Sequence, residues 1–300
     1  MGDSGQAARV PVRPRVPPEL AHRVFSGSTV VRQGLLTPDE LRGPAWTALF
    51  RDVYAPAQQP VTHALRARAA AGVLRPDAVV SGVSAGVLWG ADLAGPEDDV
   101  ELTLPPTAHP LRMPGVRARR AVLDERHVRR HRGVRVTDPD TTAVALAGSL
   151  PLDDAVVAVD RMVHAGRASL HRVRALAGEA AGRGCRRARA ACALADGRAE
   201  SPQETRIRLL VLRGGLPTPI AQYEVPRPGR RPLRLDFAWP QWRVALEYDG
   251  LWHGDPGQFG RDRRRLNVLG DAGWRVVFAT AVDVHRPAEL LGRLTRLLSA

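Results

Sequence analysis

Residues 233–253, LRLDFAWPQWRVALEYDGLWH, constrain the fold more than any other stretch, because two alternating apolar runs flank a turn. Alternation with a period of two marks a β-hairpin. Leu233, Leu235, Phe237 and Trp239 share one face of the first run, with Arg234, Asp236 and Ala238 on the other. In the second run Val244, Leu246 and Tyr248 share a face, opposite Arg243, Ala245, Glu247 and Asp249. Three carboxylates therefore project from one side of a sheet whose other side is apolar. If Pro240 to Arg243 form a four-residue loop, Trp239 lies opposite Val244, Ala238 opposite Ala245, Asp236 opposite Glu247 and Arg234 opposite Asp249. A slip of one residue would destroy this sorting. Opposed like charges repel, and a divalent cation between Asp236 and Glu247 removes that penalty, since Mg²⁺ accepts one or two carboxylates plus waters and phosphate oxygens. The other reading of the same face is a solvated surface neutralised by Arg234 and Arg243.

The order Asp, ten residues, Glu-x-Asp-Gly-x-x-His, formed by Asp236, Glu247, Asp249, Gly250 and His253, resembles the PD-(D/E)XK nuclease superfamily. Within it the pattern is similar to the branch around very-short-patch-repair (Vsr) endonucleases. Ser201-Pro202-Gln203-Glu204, opening a helix, and the segment from Arg261 to Thr280 are similar to the same family. The resemblance thus spans nearly all of residues 200–300. It implies an α/β fold with a restriction-endonuclease-like αβββαβ domain, and hydrolysis of DNA phosphodiesters assisted by Mg²⁺ or Mn²⁺. Carried over residue by residue, it makes Asp236, Glu247 and Glu204 the metal ligands and lets Asp249 or His253 orient the attacking water. The superfamily's lysine position is held by Asp249, and every one of the 44 basic residues is Arg. The alternative implied by this departure is a non-catalytic DNA-binding regulator that retains the nuclease fold.

Local readings support and qualify these roles. Ser201 with Pro202 and Glu204 also matches a capping box, which offers Glu204 a purely structural task. His253, with an ordinary pKa of about 6.5, suits proton transfer. Arg261, Arg263, Arg264 and Arg265 at the start of the next helix suit phosphate binding, and Trp252 suits stacking on a base. A terminal helix from Pro287 to Leu298 brings Leu290, Leu291, Leu294 and Leu297 to the sheet.

Charge is unevenly distributed. The formal net charge is +13, yet residues 1–160 carry 19 Arg against 18 acids while residues 161–300 carry 25 Arg against 13. A basic half beside a nearly neutral one is expected of a phosphate-binding half, with DNA as the partner. Cys185 and Cys192 stand seven apart on an expected helix, roughly 10 Å along its axis, too far to bridge. Unpaired thiols point to a reducing, cytoplasmic setting, and no Cys/His spacing points to zinc. No window approaches 18 apolar residues, so no membrane span is expected. No feature fixes an oligomeric state.

The remaining chain is expected to begin with a disordered tail, residues 1–20, rich in Pro, Gly and Arg. Thr37-Pro38-Asp39-Glu40 starts a helix that continues toward Phe50, followed by an edge strand in RDVYAP, a partial winged-helix-like start. Residues 61–72 form a helix, 78–80 a strand, and Ser81 caps a helix to Trp89. Gly82-Val83-Ser84-Ala85-Gly86 matches the nucleophile elbow of α/β-hydrolases, but the parallel sheet that should precede an elbow is missing, so close helix packing by small residues is the favoured reading. Residues 100–104 and 133–137 read as strands. His127 and His131 stand at i, i+4 in an Arg-rich stretch, either a metal face or a solvated one. Through LTPDEL, LFRDVY, SGVSAGVLWG and VTDPDTTAVALA, residues 25–165 resemble the AbiEi-type antitoxin and regulator family. The expected organisation is a tail (1–20), a regulator-like domain (21–165), an Arg-rich helical linker (166–200) and the nuclease-like domain (201–300).

Overall fold

The computed structural model describes residues 15–250 and 256–299, the latter stretch with side chains from residue 263 onward. The fold is α/β with mixed sheets. It comprises two compact units, residues 1–88 with 93–138, and residues 89–92 with 139–300.

In the first unit Pro18–Leu20 make a 3₁₀ turn with Leu20 buried. The expected disordered tail therefore does not reach residue 20; residues 1–14 of it lie outside the described residues. β1 (Phe25–Ser26) leads into α1 (Gly27–Arg32) and α2 (Pro38–Leu41). Thr37 and Glu40 form the capping box expected from the sequence, with the Thr37 hydroxyl accepting from the Glu40 amide and the Glu40 carboxylate accepting from the Thr37 amide. The helix stops there instead of running to Phe50. Gly43 and Pro44 end it, and β2 (Trp46–Phe50) pairs antiparallel with β3 (Val53–Pro56). β3 forms as a strand but lies between β1 and β2 rather than at the expected edge, because β1 takes its other side. Trp46 packs edge-on against Phe25 at 5.0 Å, so its bulk serves a sheet core.

The same unit continues with α3 (His63–Ala69), β4 (Val79–Val80), α4 (Gly82–Leu88), β5 (Val100–Leu104), β6 (Val116–Arg120), β7 (Val128–His131) and β8 (Val134–Thr137), the five strands ordered β6-β5-β4-β8-β7. The Arg-rich stretch thus contributes β6 and β7. The i, i+4 histidine face does not exist: His131 ends β7, and His127 Nδ1 lies 3.0 Å from an Asp138 carboxylate oxygen.

The Gly-x-Ser-x-Gly sequence has a structural explanation. Gly82 sits at φ +56, and a Cβ there would stand 1.8 Å from a Glu101 carboxylate oxygen, which accepts from the Val83 amide. Ser84 is wholly buried; its Oγ accepts from the Glu101 amide at 2.8 Å and lies 2.8 Å from His63 Nε2, whose Nδ1 faces the Gly95 carbonyl. A hydrolase nucleophile needs access, and this serine has none. Its hydroxyl instead donates to a neutral imidazole that donates to Gly95. Burial pushes the His63 pKa down, only partly opposed by the Gly95 bond. Because the folded value lies below the unfolded one, the unfolded chain binds more protons between them, and stability is lost as pH falls from about 6.5. His63→Gln should flatten the pH dependence of urea unfolding between pH 7 and 5; an unchanged slope would contradict this account of the network.

The second unit opens with α5 (Pro139–Ser149), α6 (Leu152–His164), α7 (Leu170–Glu179) and α8 (Cys185–Leu194). Residues 166–200 are not a bare linker. Val173, Ala177, Ala188, Ala191 and Cys192 are buried, and α5 and α8 approach so closely that a Cβ on Gly148 would lie 3.2 Å from the Gly184 carbonyl. Next come α9 (Pro202–Arg213), β9 (Ile220–Val225), β10 (Leu233–Trp239), β11 (Val244–Tyr248), α10 (Pro256–Asp271), β12 (Arg275–Ala279), α11 (Ala281–His285) and α12 (Ala288–Leu298). The αβββαβ order expected from the sequence is present, with strands ordered β12-β11-β10-β9 and only β11–β12 parallel. Phe237, Trp239, Val244 and Leu246 form one core with Ile207 and Val211 of α9 and Leu290, Leu294 and Leu298 of α12. Ala238 and Ala245 face Leu269 of α10. Leu233 and Leu235, expected on the face of Phe237 and Trp239, pack there with them instead, because the ladder is broken at Asp236 and Gln222 and the alternation does not run through. Among the described residues no helix is long and apolar enough to cross a membrane.

A buried ion pair ties α6 to α9. The Asp160 carboxylate, fully buried, accepts from Arg208, from the Thr205 hydroxyl and from the amides of Asp196 and Gly197, all at 2.8–2.9 Å. Removing one partner leaves an uncompensated buried charge, a loss of about 3–5 kcal/mol. Asp160→Ala should cost about that much in urea denaturation, and a cost under about 1 kcal/mol would show the network to be dispensable.

Candidate functional site: a carboxylate cluster where two strands part

The hairpin forms with the register its pattern demands: Trp239 pairs with Val244, Ala238 with Ala245 and Phe237 with Leu246. The pairing ends there. Asp236 is not set in ladder register against Glu247; instead its carboxylate accepts from the Tyr248 amide at 2.9 Å. Tyr248 and Asp249 follow β12, with the Asp249 amide donating to the Ala279 carbonyl. Arg234 therefore does not meet Asp249; it pairs with Glu200 at 2.7 Å. The physical reason is a choice of partner. A parallel ladder with β12 draws the end of β11 away from β10, and the Asp236 side chain fills the acceptor position so vacated.

On the other side of β10 the geometry is equally distorted. Gln222 of β9 takes φ +53, and no ladder pair joins it to Asp236, although Leu235–Tyr223 and Phe237–Ala221 pair on either side. A left-handed conformation in a residue with a side chain is strained, and such strain concentrates at functional sites. Gln222 uses it to donate from Nε2 to the Glu204 carboxylate at 3.0 Å.

Glu204 arrives from the first turn of α9. Ser201 caps that helix by accepting from the Glu204 amide at 3.2 Å. The Glu204 carboxylate does not close a capping box on the Ser201 amide; it accepts from the Glu200 amide at 2.9 Å and bonds the Ser201 side chain. The capping task is only half of what this buried side chain does. Burial raises its pKa first of all, and Asp236 and Glu200 add repulsion that the bonds from Glu200 and Ser201 do not outweigh. Asp236 is raised for the same leading reason, opposed by the Tyr248 amide and Arg265. Two carboxylates from separate elements thus sit in a partly dry site, each costing energy to ionise.

Glu247 is held differently. Arg265 of α10 donates from both terminal nitrogens to the two Glu247 oxygens, at 2.9 and 2.8 Å, and also to the Arg234 carbonyl at 2.6 Å. This fork bridges the gap between the parted strands, as a planar guanidinium does best. Sequence reasoning assigned Arg265 to phosphates; the structure gives it a carboxylate. Among the described residues no three acidic, His or Cys side chains converge as a ready metal cage.

The other expected residues are distributed as follows. Asp249 is exposed. Arg263 and Arg264 are exposed on α10. Arg261 belongs to α10 but its side chain, with Trp252 and His253, lies outside the described residues. Beside the cluster runs a groove of about 460 Å³ lined by Arg227, Arg230, Leu233, Arg264, Arg265 and Asn267, with no acid among its walls. Arg227 and Arg230, from the β9–β10 loop, were missed by sequence reasoning; the PRPGRRP run between two strands was the signal for them. So was Gln222, which nothing in a single sequence distinguishes.

Several proteins resemble the chain. No family model matches it. Two uncharacterized Mycobacterium tuberculosis proteins, MT2308 of strain CDC 1551 / Oshkosh and Rv2248 of strain ATCC 25618 / H37Rv, are each 37% identical over 194 residues, covering 62% of this chain and 72% of theirs. The crystal structure of RV2827C protein from Mycobacterium tuberculosis aligns at 16% identity with a TM-score of 0.38, covering 66% of this chain and 78% of that one. That likeness is too slight to carry an argument.

The raised pKa values make a stability prediction. A carboxylate whose folded pKa exceeds its unfolded one favours folding below about pH 4 and loses that contribution as pH rises through the folded value. Asp236→Asn keeps an oxygen for the Tyr248 amide and removes the charge. At pH 7 without divalent ions it should melt roughly 2 °C or more above the wild type, the gap closing near pH 4. A lower melting temperature at pH 7 would mean that the ionised carboxylate stabilises the metal-free fold.

Proposed function

This chain belongs to one family with the uncharacterized mycobacterial proteins MT2308 and Rv2248, and we propose that it is a metal-dependent DNA endonuclease of the Vsr-like class, hydrolysing phosphodiesters at the parted end of β10 and β11. The observation that carries this reading is the pair Glu204 and Asp236: two carboxylates from α9 and β10, each with a raised pKa and each repelling the other, beside an arginine groove. Stability alone does not assemble such a pair.

The donor set fits a hard divalent cation. Mg²⁺ and Mn²⁺ bind through one or two carboxylates, completing their shell with water and phosphate oxygens. Asp236 and Glu204 would hold it, with Glu247 a third ligand when freed from Arg265. Bound there, the ion would polarise a phosphoryl oxygen and acidify a water. The chain's own residues do the rest. The Tyr248 amide and Gln222 fix the two carboxylates in orientation. Arg227, Arg230 and Arg264 offer guanidinium forks to successive phosphates along the groove. The chain contains no lysine, so orienting the water that a bound ion would acidify would fall to His253 or Asp249.

A second reading, a non-catalytic DNA-binding regulator with a retained nuclease fold, is favoured by one observation: the bidentate Arg265–Glu247 pair neutralises a carboxylate the chemistry would use. Cleavage separates the two. Supercoiled plasmid and single-stranded DNA should be nicked by the wild type only with Mg²⁺ or Mn²⁺, and activity should vanish in Asp236→Ala and Glu204→Gln. Retarded but intact DNA under all conditions would move the assignment to the regulator.

A further inference from the structure

The first unit holds a second basic site, unrelated to the carboxylate cluster. A cavity of about 480 Å³ opens beside α3, and its walls include His22, Arg23, Gln59, Arg68 and the Arg132–Gly133 turn, with no carboxylate among them. Cavities of this size hold small-molecule ligands. We propose that it binds the phosphate group of a small phosphorylated molecule of about nucleotide size, gripped between Arg68 and Arg132.

Three observations converge on this. Arg68 projects from a helix whose neighbouring residues Leu65, Arg66, Ala67 and Ala69 are buried, so its guanidinium is half-buried with them. Among the described residues neither Arg68 nor Arg132 has a carboxylate partner, and burial, with repulsion from Arg132 added, lowers the pKa of Arg68. Arginine does not shed its proton to relieve such a cost; an anion relieves it.

The second observation is the backbone. Arg132 and Gly133 are the two central residues of the β7–β8 hairpin, since His131 pairs with Val134. Both have positive φ, +47 and +87. Turns of this kind prefer Asn-Gly or Asp-Gly, because a longer side chain gains nothing from the left-handed region. Placing Arg there aims its guanidinium over the cavity at a conformational cost that folding alone does not recover.

The third is Gln59. Its Oε1 is buried in the cavity wall with no hydrogen-bond partner among the described residues. Buried amides are normally satisfied, and a side-chain rotation of Gln59 on binding would present this oxygen to a ligand hydroxyl or protonated phosphate oxygen that supplies the missing donor. Phosphate with two guanidinium forks has the geometry arginine recognises best.

Calorimetric titration of the full chain with inorganic phosphate, with adenosine 5′-monophosphate and with a short DNA duplex tests the site. Arg68→Gln removes the anchored charge. Arg132→Asn removes the other while keeping a residue that tolerates the turn, and decides the matter if Arg68→Gln fails to fold. Arg296→Gln, exposed on α12 and outside both arginine-lined sites, is the control. The expected result is that phosphate and the nucleotide bind, weakened about tenfold or more in both cavity variants and unchanged in Arg296→Gln. Absence of phosphate binding, or binding kept at wild-type strength in both cavity variants, would overturn the proposal. So would binding of the duplex alone through Arg68 and Arg132, which would give these residues to a polymer backbone.

Discussion

The bond from the Tyr248 amide to the Asp236 carboxylate decides the character of the second unit. It stands where a hairpin ladder would otherwise continue, and it lets β11 leave β10 for the parallel partner β12. Because the strands part, Arg265 reaches between them to the Arg234 carbonyl and to Glu247. On the other side of β10, Gln222 holds the Glu204 carboxylate from the first turn of α9, within electrostatic reach of Asp236. A continuous hairpin would have set Asp236 against Glu247 and left the sheet closed. The charge cluster is a consequence of topology: one parallel strand added to an antiparallel meander.

The apolar half of this arrangement was legible in the sequence. Alternation in LRLDFAW and RVALEY sets the hairpin and its register, and Trp239 and Val244 then fall together in the core. The leucine spacing of the last helix likewise announced a helix covering the sheet, although Leu298 rather than Leu291 completes its buried stripe. Such features follow from side-chain period alone, which is local. The carboxylate network was only partly legible. Asp236 and Glu204 were found through motif spacing, whereas Gln222 and the switch of Arg265 from phosphate to carboxylate depend on where strands separate in space. No local pattern encodes that separation.

The first unit makes the same point from the opposite side. Trp46, Leu49 and Phe50 suit a helix face by spacing, yet Gly43 and Pro44 end the helix and the run becomes a strand against β3. Tertiary pairing overrides weak helix propensity over so short a segment. Gly82 and Ser84 read as a hydrolase signature, and their burial around Glu101 and His63 converts the signature into a packing joint. A motif acquires meaning only from the access its surroundings allow.

The central claim is that Asp236 and Glu204 bind a divalent cation. Its most direct test is Mn²⁺ binding measured by electron paramagnetic resonance at pH 7, in the wild type and in a double Asp236→Asn, Glu204→Gln variant. The account predicts a bound-ion population in the wild type that disappears in the double variant while the far-ultraviolet circular dichroism stays unchanged. Equal binding in both proteins, or none in either, would contradict it.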